Sequence, residues 1–178
     1  MAKVTIIDLD GKKEQDGVIG AVAELRGILI HADGSREDLG VLGRKVVTTA
    51  FCNLIVDCLQ AAAGTNSIAG FKWHAAGTGT NAEAASDTAL QAEITEAGDP
   101  IRGEGTQVEG ASANIYKSVG TVTFNNTYTV TEHGLLNSDY LGANPAGTLM
   151  DRTKWAGTSV VATDTIQFTY QITFTAGS

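Results

Sequence analysis

"TDTIQFTYQITFTA", residues 163–176, is the stretch on which the fold turns. Ile166, Phe168, Tyr170, Ile172 and Phe174 fall on one side of an extended chain, with Thr165, Gln167, Thr169, Gln171, Thr173 and Thr175 on the other. Side chains of a strand point alternately to opposite faces, so five apolar residues at period two mark a half-buried antiparallel strand. A slip of one residue would turn that whole face to water, and the register is therefore expected to be tightly held.

The same rhythm extends upstream. Val122 and Phe124 alternate, an Asn125-Asn126 turn follows, and Tyr128 and Val130 resume. Farther back, the apolar residues 28–30 meet Asp33-Gly34, a strong hairpin signal, and return through Leu39, Val41 and Leu42. One segment departs from it: Phe51, Leu54, Ile55, Cys58, Leu59 and Ala62 follow the i, i+3, i+4, i+7 series of a helix face. Thr48 or Thr49 can cap its start and Gly64 can end it. Its polar side, Asn53, Asp57 and Gln60, carries no Lys or Arg and so does not suit anionic lipid. The expectation is a mainly β protein, an antiparallel β-sandwich or jelly-roll-like barrel with one packed α-helix at about 48–62. Residues 1–20, with an apolar run at 4–9 and a polar, Gly-bearing run at 10–17, are expected to form an N-terminal arm, and 21–178 a single β-sandwich domain.

Composition narrows the function. A chain of 178 residues with 43% hydrophobic and 18% charged residues suits one globular core. The net charge of −8, from 12 basic against 20 acidic residues, supplies no field to neutralise phosphates, so direct nucleic-acid binding is not expected. No basic-then-apolar leader opens the chain and no apolar run approaches the ~20 residues that cross a bilayer, so the reading is of a soluble chain made in the cytoplasm, with no membrane partner. Cys52 and Cys58, the only cysteines, would lie roughly 9 Å apart along a helix axis, too far for a disulfide, and read as buried thiols.

Candidate chemistry is sparse. "GTGTNA", residues 77–82, matches the G-x-G-x-x-A form of a dinucleotide fingerprint, with Glu93 and Glu96 at a fitting distance. That fingerprint needs a buried parallel strand leading into a helix; here the strand before it carries Lys72 and His74, so a glycine-permitted turn is the reading. His31, His74 and His133 are the only imidazoles, and each reads as structural or surface. Glu132 beside His133 resembles an acid–base pair, yet neighbours on a strand face opposite ways. No G-x-S-x-G, C-x-x-C or H-E-x-x-H occurs, so no catalytic residue, metal or cofactor is assigned. Residues 81–110 hold seven acidic residues against one arginine, expected as a short helix near 87–93 followed by a solvated loop without the Asp spacing of an EF-hand. "TEHGLL", 131–136, is read as a strand ending at Gly134, and Arg152 as a donor to Asp151, Glu132 or a loop carbonyl.

Taken in order, "FKWHAAGTGTNAEAASDTALQAE", "IRGEGTQVEGASANIYKSVGTVTF", "TVTEHGLLN", "GTLMDRTKW" and "DTIQFTYQITFTAG" resemble a family of small virion structural proteins of tailed bacteriophages, over about residues 44–177. The motifs T-E-H-G-L and L-x-D-R-T recur in capsid-associated and tail-associated members alike. The chain departs from the family where Trp73-His74-Ala75 replaces Tyr-His-Gly and where Lys154 replaces an apolar residue, so surface roles at those positions are not carried over. The resemblance implies a non-enzymatic head decoration, or cement, protein: a homo-oligomer, dimer or trimer, on the capsid exterior, with the major capsid protein as partner. The alternatives are a phage tail structural protein, tail tube or fibre-associated, and a small-ligand binding module or enzyme using the turn at Gly77 and Gly79. Trp155, Tyr140 and Leu141, aromatic and apolar residues near Gly and Asn, are the candidate partner contacts.

Overall fold

The computed structural model of the protein describes residues 20–44, 46–51, 55, 70–96, 98–140 and 147–175. Among these residues eleven strands run in chain order: β1 Gly20–Ile30, β2 Arg36–Arg44, β3 Val46–Val47, β4 Trp73–Gly77, β5 Thr95–Glu96, β6 Asp99–Pro100, β7 Arg102–Glu109, β8 Ile115–Thr123, β9 Tyr128–Leu136, β10 Leu149–Val160 and β11 Thr165–Thr175. Nine join one sheet in the order β2-β1-β11-β8-β7-β4-β9-β10-β3, and β5 and β6 form a small separate pair. Every pairing is antiparallel.

The alternating strand β11 lies within the sheet, paired along its length with β1 and over nine positions with β8. Its apolar residues Ile166, Phe168, Tyr170 and Ile172 are buried, and Phe174 packs partly buried against the same core. β7 makes the corner: Gly103 and Glu104 pair with β4, whereas residues 105–109 pair with β8. The sheet curls through this shared strand until β2 and β10, near its two ends, approach each other. The result is a mainly β fold, an antiparallel sheet nearly closed into a barrel. Leu25, Leu29, Phe51, Phe71, Val122, Phe124, Leu135 and Phe168 fill it.

The hairpin between β1 and β2 turns at Asp33-Gly34, with Gly34 at φ 83°, a region that favours glycine. Helical residues are Thr49, Ala50, Phe51 and Ile55; the remainder of the segment at 48–62 lies outside the described residues, as do Cys52, Cys58 and residues 1–19 of the expected arm. Thr48 supplies the cap, accepting a bond from Phe51 N at 3.2 Å and donating to Leu149 O at 2.5 Å. Phe51 then meets Phe71 edge to face at 5.2 Å, which fixes the start of the helix on the core.

Three local expectations are corrected. The strands on either side of Asn125-Asn126 exist, but β8 and β9 do not pair with each other; the chain crosses from one part of the sheet to another. Phe124 is held instead by the turn before β11, donating to Asp164 O and accepting from Thr163 N. Residues 87–93 form no helix, only bends and one isolated bridge, Gly77 to Glu93. Finally, β9 does not end at Gly134 but runs through it to Leu136; the absent side chain leaves room there for Leu90 and Leu149.

Candidate functional site

From Val130 to Leu136 β9 is buried on both faces, which is unusual for a strand containing Glu, His and Thr. The alternation of the strand sends Glu132 and His133 to opposite sides. Glu132 meets Arg152 of β10 and the loop 78–92, while His133 meets His74 of β4. Two separate polar systems result.

The first is a carboxylate clasp. Glu132 is fully buried and accepts four hydrogen bonds: Gly79 N at 3.0 Å and Ala92 N at 2.7 Å on Oε1, and Gln91 N at 3.0 Å and Arg152 Nε at 2.6 Å on Oε2. Two carboxylate oxygens offer about four lone-pair sites, so the group is filled. A Cβ on Gly77 or on Gly79 would stand 2.5 Å from Glu132 Oε1, so only glycine lets the loop close over the carboxylate. The Gly-Thr-Gly turn that resembles a phosphate cradle therefore cradles an anion of its own chain.

Arg152, 1% exposed, ties down the other side of the loop. Nη1 donates to Asp87 Oδ2 at 3.0 Å and Ala82 O at 3.3 Å, and Nη2 to Asn81 O at 3.1 Å. Burial alone would lower its pKa, but the bonds to Glu132 and Asp87 outweigh that and hold the guanidinium above its ordinary range. Lys154 N donates to Glu83 Oε1 at 2.8 Å, fixing a further point. Beneath the loop, Ala75, Leu90, Leu136 and Leu149 make a small apolar cluster with Trp73 against it.

The second system lies inside the barrel. His74 Nδ1 and His133 Nε2 share a hydrogen bond of 3.0 Å, and His74 Nε2 and Ser118 Oγ another of 2.9 Å. Gly105 and Gly120 flank the His74 ring so closely that a Cβ on either would strike it. Phe168 lies parallel to that ring at 6.3 Å and against His133 at 4.5 Å. Burial drives the pKa of His74 down to about 3, so the imidazole is neutral at ordinary pH. Tyr170, also in this interior, is pushed well above its ordinary pKa by burial and by the charge of Asp151.

The sequence-derived contact residues have separate settings. Trp155 is half-buried on β10, packed against the main core with Phe168 at 6.4 Å, its Nε1 donating to Thr158 Oγ1 at 3.2 Å. Tyr140 adopts φ 74° and lies under the Arg102 guanidinium at 5.5 Å. Leu141 lies outside the described residues. His31 is a partly exposed turn residue, its Nδ1 3.5 Å from Asp164. The acidic stretch is solvated in part: Asp99, Glu104 and Glu109 are exposed, as expected, whereas Glu83, Asp87, Glu93 and Glu96 are half-buried. Asp87 is taken up by Arg152, Glu93 binds Arg102 through both oxygens at 2.7 and 3.0 Å, Glu96 holds Asn125, and Glu104 pairs with Lys72. Among the described residues no three His, Cys, Asp or Glu side chains converge as a metal site requires, and no helix is long and apolar enough to cross a membrane. No family model matches the chain, and no curated protein or solved structure matches it.

Removing one partner of a buried ion pair strands the other's charge and costs about 3–5 kcal/mol. Arg152→Met should therefore lower the unfolding free energy by about that amount in denaturant titrations; a loss under about 1 kcal/mol, typical of a surface pair, would contradict the clasp. The depressed pKa of His74 sets a second expectation. Its contribution to stability is fully present above the unfolded value near 6.5 and is lost as pH falls towards about 3, because only the unfolded chain takes up the proton. Between pH 6 and 4 this amounts to about 1.4 kcal/mol per pH unit, and His74→Gln should remove that part of the slope. Equal slopes for the two proteins would show that His74 does not carry it.

Proposed function

We propose that the chain is a head decoration protein of a tailed bacteriophage, a homo-oligomer that binds the major capsid protein on the outside of the shell and reinforces it. One observation carries the reading. The residues of T-E-H-G-L and L-x-D-R-T that have reactive side chains are buried and bonded to the chain itself, through Glu132, His133 and Arg152. These motifs then serve to build a rigid body, and activity is left to its outer surface. That surface includes the polar face of β11 and the loop 78–92, which is exposed at Thr78, Thr80, Ala84, Ser86 and Thr88 yet bonded to the barrel from beneath.

Rigidity favours such a role. A loop already held in one conformation loses little entropy when it docks, and several weak contacts per oligomer combine by avidity. Symmetric self-association supplies the several contacts. The resemblance to phage virion proteins applies to the tail as well as the head, and the two differ in assembly: a tube subunit polymerises head to tail, whereas a decoration protein stays a small closed oligomer.

Purified protein mixed with expanded capsids is expected to bind saturably, at a ratio set by the capsid lattice, and to remain a small closed oligomer by light scattering when alone. Recovery only in the tail fraction of dissected virions, or polymerisation into rings and tubes, would overturn the head assignment.

A further inference from the structure

A groove of about 390 Å³ opens where the β7–β8 turn meets the end of β11. Ligand clefts enclose roughly 300–1,000 Å³, so this one is small and suits a single long side chain. Its lining has two halves. Val108, Ile115, Tyr116 and Phe174 bring apolar and aromatic surface, while Gln107, Glu109 and Asn114 bring polar groups. Val108 is 40% exposed and the three polar residues are exposed, so both halves are open to a partner.

The polar half is one-sided in its chemistry. Gln107 Nε2 donates to Tyr116 Oη at 2.9 Å and to Phe71 O at 3.4 Å, and Asn114 Nδ2 donates to Phe174 O at 2.8 Å. Tyr116 Oη in turn donates to Phe71 O. The side-chain donors are thus bonded into the chain itself. What remains for a ligand is a set of acceptors: Gln107 Oε1, the carboxylate of Glu109, and a second lone pair on Asn114 Oδ1, which already accepts from Ser112 Oγ at 2.6 Å. Among the described residues no Lys or Arg lines the groove to answer the carboxylate. The same bonds fix the rim before a ligand arrives, so little side-chain entropy is lost on binding.

The complement of several acceptors, one negative charge and aromatic walls is a planar cation on an apolar stem. A guanidinium carries its donors in one plane, stacks on aromatic faces and is more weakly hydrated than an ammonium. We propose that the groove receives an arginine side chain of a partner protein, with the guanidinium bonded to Glu109 and to the amide oxygens of Gln107 and Asn114, and the methylene stem against Val108, Ile115 and Phe174. A lysine satisfies the charge but neither the stacking nor the spread of acceptors. The net charge of −8 draws a basic partner from a distance, and the groove selects the residue that docks. The inference holds for any partner that presents an arginine and stands apart from the decoration reading.

Titrating the full chain with N-acetyl-arginine methylamide, read by amide chemical shifts, tests it. Saturable shifts are expected at Gln107, Val108, Glu109, Asn114 and Ile115, with a dissociation constant in the millimolar range. The lysine analogue and the uncharged citrulline analogue should each bind about threefold more weakly, or worse. Glu109→Gln, at an exposed position, should weaken arginine binding by about the same factor and leave the shifts of β11 unchanged. Shifts spread evenly over the acidic surface, Asp33 and Asp99 included, would reveal only general attraction between opposite charges. That result, equal binding of the citrulline or lysine analogue, undiminished binding by Glu109→Gln, or no saturable shift at the groove would overturn the assignment.

Discussion

A buried carboxylate is tolerated only when its lone pairs are filled and a counter-charge is at hand, and the outer side of this barrel is organised around one such group, Glu132. Its desolvation costs several kcal/mol, offset only by a complete set of partners. Three backbone amides from one loop and one guanidinium supply that set. Each partner is constrained in return. The loop must carry glycine at 77 and 79, its amides must not enter a helix, and Arg152 must lie beside β9, on the neighbouring strand. An arrangement that fails at any of these points leaves an unpaired buried charge, so the clasp fixes one conformation of residues 78–92 against many alternatives.

The interior imidazole pair acts in the same direction by a different route. Polar side chains at the centre of a β barrel are costly unless bonded, and His74, His133 and Ser118 bond one another across β4, β9 and β8. The bare backbone at Gly105 and Gly120 makes room for the ring, so β7 and β8 can approach it only in the observed register. Barrel register and loop position are thereby set by polar groups, with the apolar core providing the bulk of the driving force.

Sequence periodicity reached the local part of this architecture. The alternation in β11, the Asp33-Gly34 hairpin and the Thr48 cap depend on neighbours within a few residues, and all three appear as read. What escaped depends on pairing between distant strands. Residues 125 and 126 look like a hairpin turn because both flanks alternate, yet β8 prefers β11 and β7 while β9 prefers β4 and β10. The stretch 87–93 has helix-forming residues, but Glu132 claims the amides of Gln91 and Ala92 from 40 residues away. Arg152 could be matched to Glu132 as one of three acceptors, whereas the contact between His74 and His133, 59 residues apart, has no local signal. The two imidazoles were legible singly and invisible as a pair. Tyr140 and Trp155 gave composition cues for an interface, and the structure adds their packing neighbours, Arg102 and Phe168.

The most direct test of the clasp as the organising interaction is amide exchange by nuclear magnetic resonance at Gly79, Gln91 and Ala92. Gln91 and Ala92 are exposed loop residues, so without the clasp their amides would exchange in step with ordinary loop amides such as that of Thr80. The account predicts that all three exchange only through global unfolding, as slowly as the amide of Phe168 in β11. Exchange of the three at open-loop rates, with β11 still protected, would contradict it.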